Sequence, residues 1–405
     1  MKKNSKNKWF GFLLKLFPGI TIKRFILTLL HSVWLVAACL LWLGYINFMD
    51  GFGFMNDYMN MRSFVNEYIL QKQADTNINS NFLLINTSQN NAILPLDNDN
   101  TINTVITDRA MLAQKLEILD RNSDKIAFVI CDIFFEKQSA DAKADSALGA
   151  VILSLSKKNK CVMPGYFNHK TGGFQLPVFK GTTGISQYRS SFLNTQFLKY
   201  TYIADNHKQM PLVAYEAVSG KKLTEHKFIF LPFYSVGATP ALNTIIPEFR
   251  YTQADLIDGE SYYQLGMFDE YFLGKDQVVI IGDFEGKNDL HYSMAGLNAG
   301  PLVVVNAYLS LIKEDNLVSM WYVLLLIFVF FWVSYQQFYN KIELPSADSR
   351  YKKVLNYIAE QRIYFVMLAL VYISMLFFHH YIHFLILLTY FALIGFLKNH
   401  VFNIK

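Results

Sequence analysis

Asp283, Asp289 and His291 lie together in VVIIGDFEGKNDLHYSM, the stretch from Val278 to Met294. A carboxylate and an imidazole two residues apart can hold or pass a proton. Several carboxylates together can take a cation or a polyhydroxyl ligand through their oxygens. Two further polar residues close apolar runs in the same manner: Asn86 in NFLLINTS and Asp132 in KIAFVICDIFF. If these runs are neighbouring parallel strands, Asn86, Asp132, Asp283, Asp289 and His291 converge on one rim, at the carboxyl ends where open α/β sheets collect ligands. Gly282 and Gly286 would let another backbone or a ligand approach closely. The commoner use of such aspartates is to cap local amides in a turn, and a lone histidine is more often structural than a ligand. No nucleophile is evident. The sequence has no Gly-x-Ser-x-Gly elbow, no His-Glu-x-x-His and no cysteine–histidine set at zinc spacing. The expectation is a non-enzymatic ligand site with no cofactor and no metal.

These residues need a scaffold, and the apolar pattern supplies one. DRAMLAQKLEILDRN reads as a helix capped by Asp108, and SADAKADSALGAVILSLSKKNK as a second helix with Ser139 near its start. KIAFVICDIFF is apolar throughout, as in a strand buried on both faces. With NFLLINTS before it and CVMPGYF after, the order is strand, helix, strand, helix, strand. That order predicts an α/β domain with a mainly parallel sheet. LKYTYIA and KFIFLPFY read as strands, MPLVAYEAVSGKK as a helix ending at Gly220, and YTQADLIDG as a short helix. PLVVVNAYLSLIKE reads as a helix with Pro301 in its first turn. DYMNMRSFVNEYILQK has helical spacing.

The composition is 52% hydrophobic and only 17% charged, which excludes a disordered chain. Four apolar runs carry the excess: Phe25 to Ile46, Val318 to Tyr335, Ile363 to Phe378 and Tyr381 to Leu397. A helix of about 20 residues spans a hydrocarbon core of roughly 30 Å. Lysine and arginine crowd the N-terminal tail, the segment between the second and third runs, and the C-terminal tail. If all four runs span, these basic segments share one side, which the positive-inside rule makes cytoplasmic. The expected layout is a basic tail (1–24), a transmembrane helix (25–48), an extracytoplasmic domain (49–317), a second helix (318–338), a basic loop (339–362), helices at 363–379 and 380–398, and a tail (399–405). The first run reads as an uncleaved anchor, because LLWLGYI stays apolar beyond VAAC. WFGFLLKLF before it suits either the membrane interface or an extension of the span. Cys131 and Cys161 are expected to be unpaired. As neighbouring parallel strands their runs would place the two sulfurs at opposite ends, roughly 15 Å apart. The histidines at 379, 380 and 383 read as interfacial.

Several of these pieces, in order, resemble the CHASE2 family of extracytoplasmic sensory domains: DRAMLAQKLEIL, KIAFVICDIFFEKQSADAKADSALGAVI, YTQADLIDG and QVVIIGDFEGKNDLHYSMAGLNAGPLVVVNAYLSLI. The last is the most specific, with a strand ending in IGD, a loop with Asp and His, a Gly/Pro turn and a helix carrying Asn-Ala. The order of one span, domain and about three spans fits as well. The Trp-Pro-rich turn common after the family's first strand is replaced by NAILPLDNDNTINTVITDR. The resemblance implies a bacterial inner-membrane sensor whose main domain is periplasmic and binds an unknown signal. The inner segments are too short for the family's usual catalytic output domain, so a separate signalling or membrane partner is expected to receive the signal. The rival expectation is a scaffold or assembly subunit that docks an envelope protein and binds no small ligand. Lipid is the other partner. The basic tails suit an anionic leaflet and give no reason to expect nucleic acid; a homo-oligomer is compatible.

Overall fold

The computed structural model describes residues 17, 20–42, 78, 81–95, 103–168, 173–190, 197–204, 206–228, 231–242, 244–245, 249–285, 289–293, 295–339, 361–378, 380, 382 and 384–397. The expected helix over 57–72, the stretch 9–16 and Gly286 lie outside these residues. In chain order the helices are α1 (Ile22–Ala37), α2 (Arg109–Arg121), α3 (Ala142–Lys157), α4 (Met210–Ser219), α5 (Gly300–Ile312), α6 (Met320–Tyr339), α7 (Arg362–Phe378) and α8 (Phe384–Phe396). The chain divides into two compact units. One comprises residues 50–224 and 244–316, the other 1–49, 225–243 and 317–405.

The first unit is built on a mixed, mainly parallel sheet. Its strands are β1 (Phe82–Asn86), β2 (Phe128–Cys131), β3 (Cys161–Asn168), β4 (Gly173–Gln175), β5 (Thr183–Ile185), β6 (Tyr262–Gln264) and β7 (Val278–Gly282). The order across the sheet is β6-β1-β7-β2-β3-β4, with β5 also paired to β3. Only the β3–β4 pairing is antiparallel. Every residue of β1, β2 and β7 is buried, because helices cover both faces and leave no polar side for alternation. Leu83, Ile85, Val129, Cys131, Val279 and Ile281 pack with Leu112, Leu116 and Leu119 of α2 and Leu148, Ile152 and Leu155 of α3. The opposite face carries α4, packed on β2 and β3, and α5, packed on β7; the rings of Phe82 and Tyr308 meet there edge to face.

Local sequence explains the helix ends. Asp108 accepts a hydrogen bond from the Met111 amide, and Asp141, rather than Ser139, caps α3 through the amides of Lys143 and Ala144. Gly220 closes α4 in the left-handed region. The YTQADLIDG segment holds a single 3₁₀ turn, Gln253–Asp255, in place of the expected short helix. The expected strand over KFIFLPFY is a meander instead, with strands at Leu223–Phe228 and Leu231–Val236 continued by Thr239–Ala241.

Cys131 and Cys161 are both free and buried, but the reason given by sequence is corrected by the register. Val129, not the far end of β2, faces Cys161. Cys131 therefore lies two residues along and one strand over, about 8 Å away between Cα atoms, just beyond disulfide reach. Burial pushes the Cys161 thiol up to about 12.

The second unit combines the apolar helices with most of the Leu223–Ala241 meander. Two of its helical stretches, Ile22–Leu40 and Met320–Tyr339, are long and apolar enough to cross a membrane; α7 and the core of α8 are shorter apolar helices. A π-helical turn, Ala38–Trp42, extends α1. The rings of Phe17, Phe331 and Tyr335 pack together.

Candidate functional site

The register sets the rim. Asn86 pairs with Gly282 across β1 and β7, and the Asp132 amide donates to the Ile281 carbonyl across β7 and β2 at 2.7 Å. The carboxyl ends of three adjacent strands thus meet at one level. Beyond β7 a hairpin of β8 (Leu290–Ser293) and β9 (Gly296–Ala299) leads straight into α5.

Of the five residues expected to converge, three come together, Asn86 turns to a separate network, and Asp283 sits at the strand end. Asn86 is fully buried and turns to an amide–carboxylate network. Its Oδ1 accepts from the Phe284 amide at 3.0 Å. Its Nδ2 lies within hydrogen-bond distance of Gln264 Oε1 and Glu285 Oε1. Glu285 Oε1 also accepts from Gln89 and Gln264. A primary amide satisfied in this way is a structural tie, and Asn86 does not share the Asp289–His291 site. Asp283 is half-buried at the end of β7.

Asp132, Asp289 and His291 are the three that come together. His291 Nε2 lies 2.6 Å from Asp289 Oδ1 and His291 Nδ1 lies 2.6 Å from the Tyr188 hydroxyl. An imidazole held this way donates from Nε2–H to the carboxylate, and whenever the ring is neutral the Tyr188 hydroxyl donates to Nδ1. Asp132 keeps some surface exposed yet is ringed by protein. Burial pushes its carboxyl up to about 7, the charge of Asp289 adds to the rise, and His291 opposes it. The phenol of Tyr166 is pushed up to about 12, chiefly by burial and then by Asp132. Tyr200 is raised by burial, then by Asp132, Tyr188 and Asp289. These phenols remain protonated around the acids. At neutral pH the rim therefore holds a carboxyl poised between its two forms, beside a Tyr–His–Asp chain. Tyr188 occupies the nucleophile position of a triad, but burial and Asp289 raise its pKa and make it a hydrogen-bond donor rather than an attacking phenolate.

Gly282 and Gly300 are both closed in by protein. A Cβ on Gly282 would overlap the Pro301 ring at the start of α5. A Cβ on Gly300 would overlap the Asp289 carboxylate. The rim is thus tied to the first turn of α5. Gln253 reinforces the tie: its Nε2 donates to the Phe284 carbonyl, its Oε1 accepts from the Ala299 amide, and its own amide donates to Asn298. Deeper in α5, fully buried Asn306 accepts from the amides of Arg250 and Tyr251 and donates to the carbonyls of Tyr251 and Leu302.

Sequence reasoning missed Tyr166, Tyr188, Tyr200, Gln253 and Glu285. Tyr188 is 103 positions from His291, and no local pattern marks it. The Asn-Ala of α5 was visible, though its role as a clamp was not. Among the described residues no group of three or more His, Cys, Asp or Glu is placed to hold a metal ion. Comparison with family models, curated proteins and solved structures returned no match.

Proposed function

We propose that the chain is a membrane-anchored, CHASE2-type sensor of a bacterial inner membrane with four spans and a periplasmic α/β unit. In this reading the unit binds a signal at the Asp132–Asp289–His291 rim and passes it through its spans to a separate partner protein. One observation carries the reading. The titratable rim is built against the first turn of α5, and the chain from α5 runs through Lys313–Ser319 directly into α6, a helix long enough to span. A ligand relays a signal from such a rim only by binding two conformations of it unequally. The interlocking of YTQADLIDG with the β8–β9 hairpin and α5 through Gln253, Asn298 and Asn306 supports the CHASE2 reading, since these are the segments that carry the resemblance. The raised phenol of Tyr188 supports a binding role rather than a catalytic one.

The test is purification of tagged full-length protein from native membranes in mild detergent, with mass spectrometry of what accompanies it. A stoichiometric partner bearing a cytoplasmic kinase, cyclase or regulator domain is expected, and it should be retained or lost together with the integrity of the rim in Asp132→Asn. A partner set made only of envelope or secretion components would overturn the sensor reading in favour of a scaffold.

A further inference from the structure

The second unit holds a polar centre that the rim does not use. His31 stands at the midpoint of the apolar stretch Ile22–Leu40. Its Nδ1 lies 2.8 Å from Ser334 Oγ on α6, and its Nε2 lies 2.6 Å from the Tyr390 hydroxyl on α8. The Tyr390 ring stacks on the imidazole and Phe338 meets it edge-on. One side chain therefore fastens three helices. A neutral imidazole donates from one nitrogen and accepts at the other, and a hydroxyl does either, so both bonds are fully made when His31 is neutral. An imidazolium donates from both nitrogens, and each hydroxyl must then send its own proton elsewhere.

Among the described residues of these helices, nothing gives a proton on His31 a counter-charge. No Asp or Glu occurs among the described residues of α1, α6, α7 or α8. The charged groups the described residues bring to these helices are cationic: Arg24, two turns earlier on α1 and stacked over Tyr339 of α6, and Arg362 of α7, bonded to Gln336. The titratable neighbours are phenols, Tyr335 and Tyr339 on α6 and Tyr390 on α8. A cation at the middle of a span without a carboxylate is costly unless water reaches it.

We propose that His31 is an intramembrane proton-binding site. Neutral, it latches α1 to α6 and α8; on taking a proton it gives up the latch and the three helices separate enough to hydrate the ring. The inference rests on reading α1 and α6 as spans.

The test uses the full chain in lipid nanodiscs. Nitroxides are placed on cysteines introduced at Leu27 and Phe328, both outward-facing with 48% and 54% exposure, in a Cys39→Ala background. The α1–α6 distance distribution is measured by pulsed electron resonance from pH 8 to pH 5. The expected result is a reversible lengthening or broadening on acidification that His31→Gln abolishes. Tyr390→Phe, which removes one of the two bonds but keeps the imidazole, should move the midpoint to higher pH. An unchanged distribution in the parent, or an equal change in His31→Gln, overturns the proposal. Alkaline carbonate extraction checks the membrane reading separately: release of the chain from membranes would refute the spans whatever the labels report.

Discussion

Asp132→Asn is the most informative single change at the rim. The carboxyl moves from an ordinary 3.8 to about 7 on folding, a rise of roughly 3 pH units, and each unit corresponds to about 1.4 kcal/mol. A raised carboxyl pKa means that the folded state binds the proton more tightly than the unfolded state. The associated stability is complete below the unfolded value and is lost as pH rises toward about 7. At pH 8 Asp132 is ionised in both states, and the fold bears the whole cost of the buried charge. Part of that cost is repulsion from Asp289, whose side chain is 42% exposed and is screened by solvent and salt. With that discount, replacement by the neutral isostere should stabilise the protein by about 2–4 kcal/mol at pH 8 and by almost nothing at pH 4. For a unit of this size about 1 kcal/mol corresponds to 2–4 °C in Tm, so the variant should melt roughly 4–16 °C higher at pH 8. The assay is thermal unfolding of both full-length proteins in detergent, followed by circular dichroism at unit pH steps between 4 and 8. Groups common to both proteins cancel in the difference. A difference that is flat with pH, or that shrinks as pH rises, would refute the argument.

Three further outcomes test other parts of the structure. Asp145→Ala should cost about 3–5 kcal/mol in urea unfolding, because it strands the guanidinium of Arg109, which is 6% exposed and bonded to Asp145 at 2.7 Å. Burial alone would raise the Asp145 pKa, but Arg109 and the Ser139 amide and hydroxyl outweigh it and leave it lowered. The stability from this pair should therefore be full above the ordinary aspartate range and fade as pH falls through the lowered value; a parent protein with no such acid-side loss relative to Asp145→Ala would contradict this. Asn306→Ala removes both bonds to the Tyr251 backbone and one to Arg250; a loss of about 3 kcal/mol is expected, and amide exchange at Arg250 and Tyr251 should accelerate. Gly300→Ala should displace the Asp289 carboxylate and lower the Asp132 pKa, read from carboxyl carbon shifts by NMR; an unmoved titration would show that Asp289 does not act on Asp132.

The central strands were legible because FLLI, FVIC and VVIIG are apolar without interruption, as a parallel strand covered on both faces requires. The caps of α2 and α4 were legible from Asp108 and Gly220 for equally local reasons. The rim was legible in part. Asp132 follows from a strand end and Asp289 and His291 from the acidic segment after β7, whereas Asn86 turns away because Gln264 and Glu285, 178 and 199 positions distant, take its amide. Pairings over such distances depend on strand order, which periodicity does not encode. The cysteine separation failed on the same ground: direction alone was assumed, and a register shift brought the thiols closer. The short strands β4, β5 and β6 have three residues each, too few to show any alternation.

The position of β7 bears on how this chain comes to be folded. β1 and β2 are never neighbours; the strand between them starts at Val278, the last of the sheet to be synthesised. Until that segment emerges, the edges of β1 and β2 that face it lack their partner, and open edges recruit other chains. Closing the sheet across so long an interval also slows the final step. The nascent chain must therefore carry two sticky, half-made surfaces for most of its synthesis. A ribosome that stalls before residue 278 releases an aggregation-prone fragment, not a smaller version of the domain.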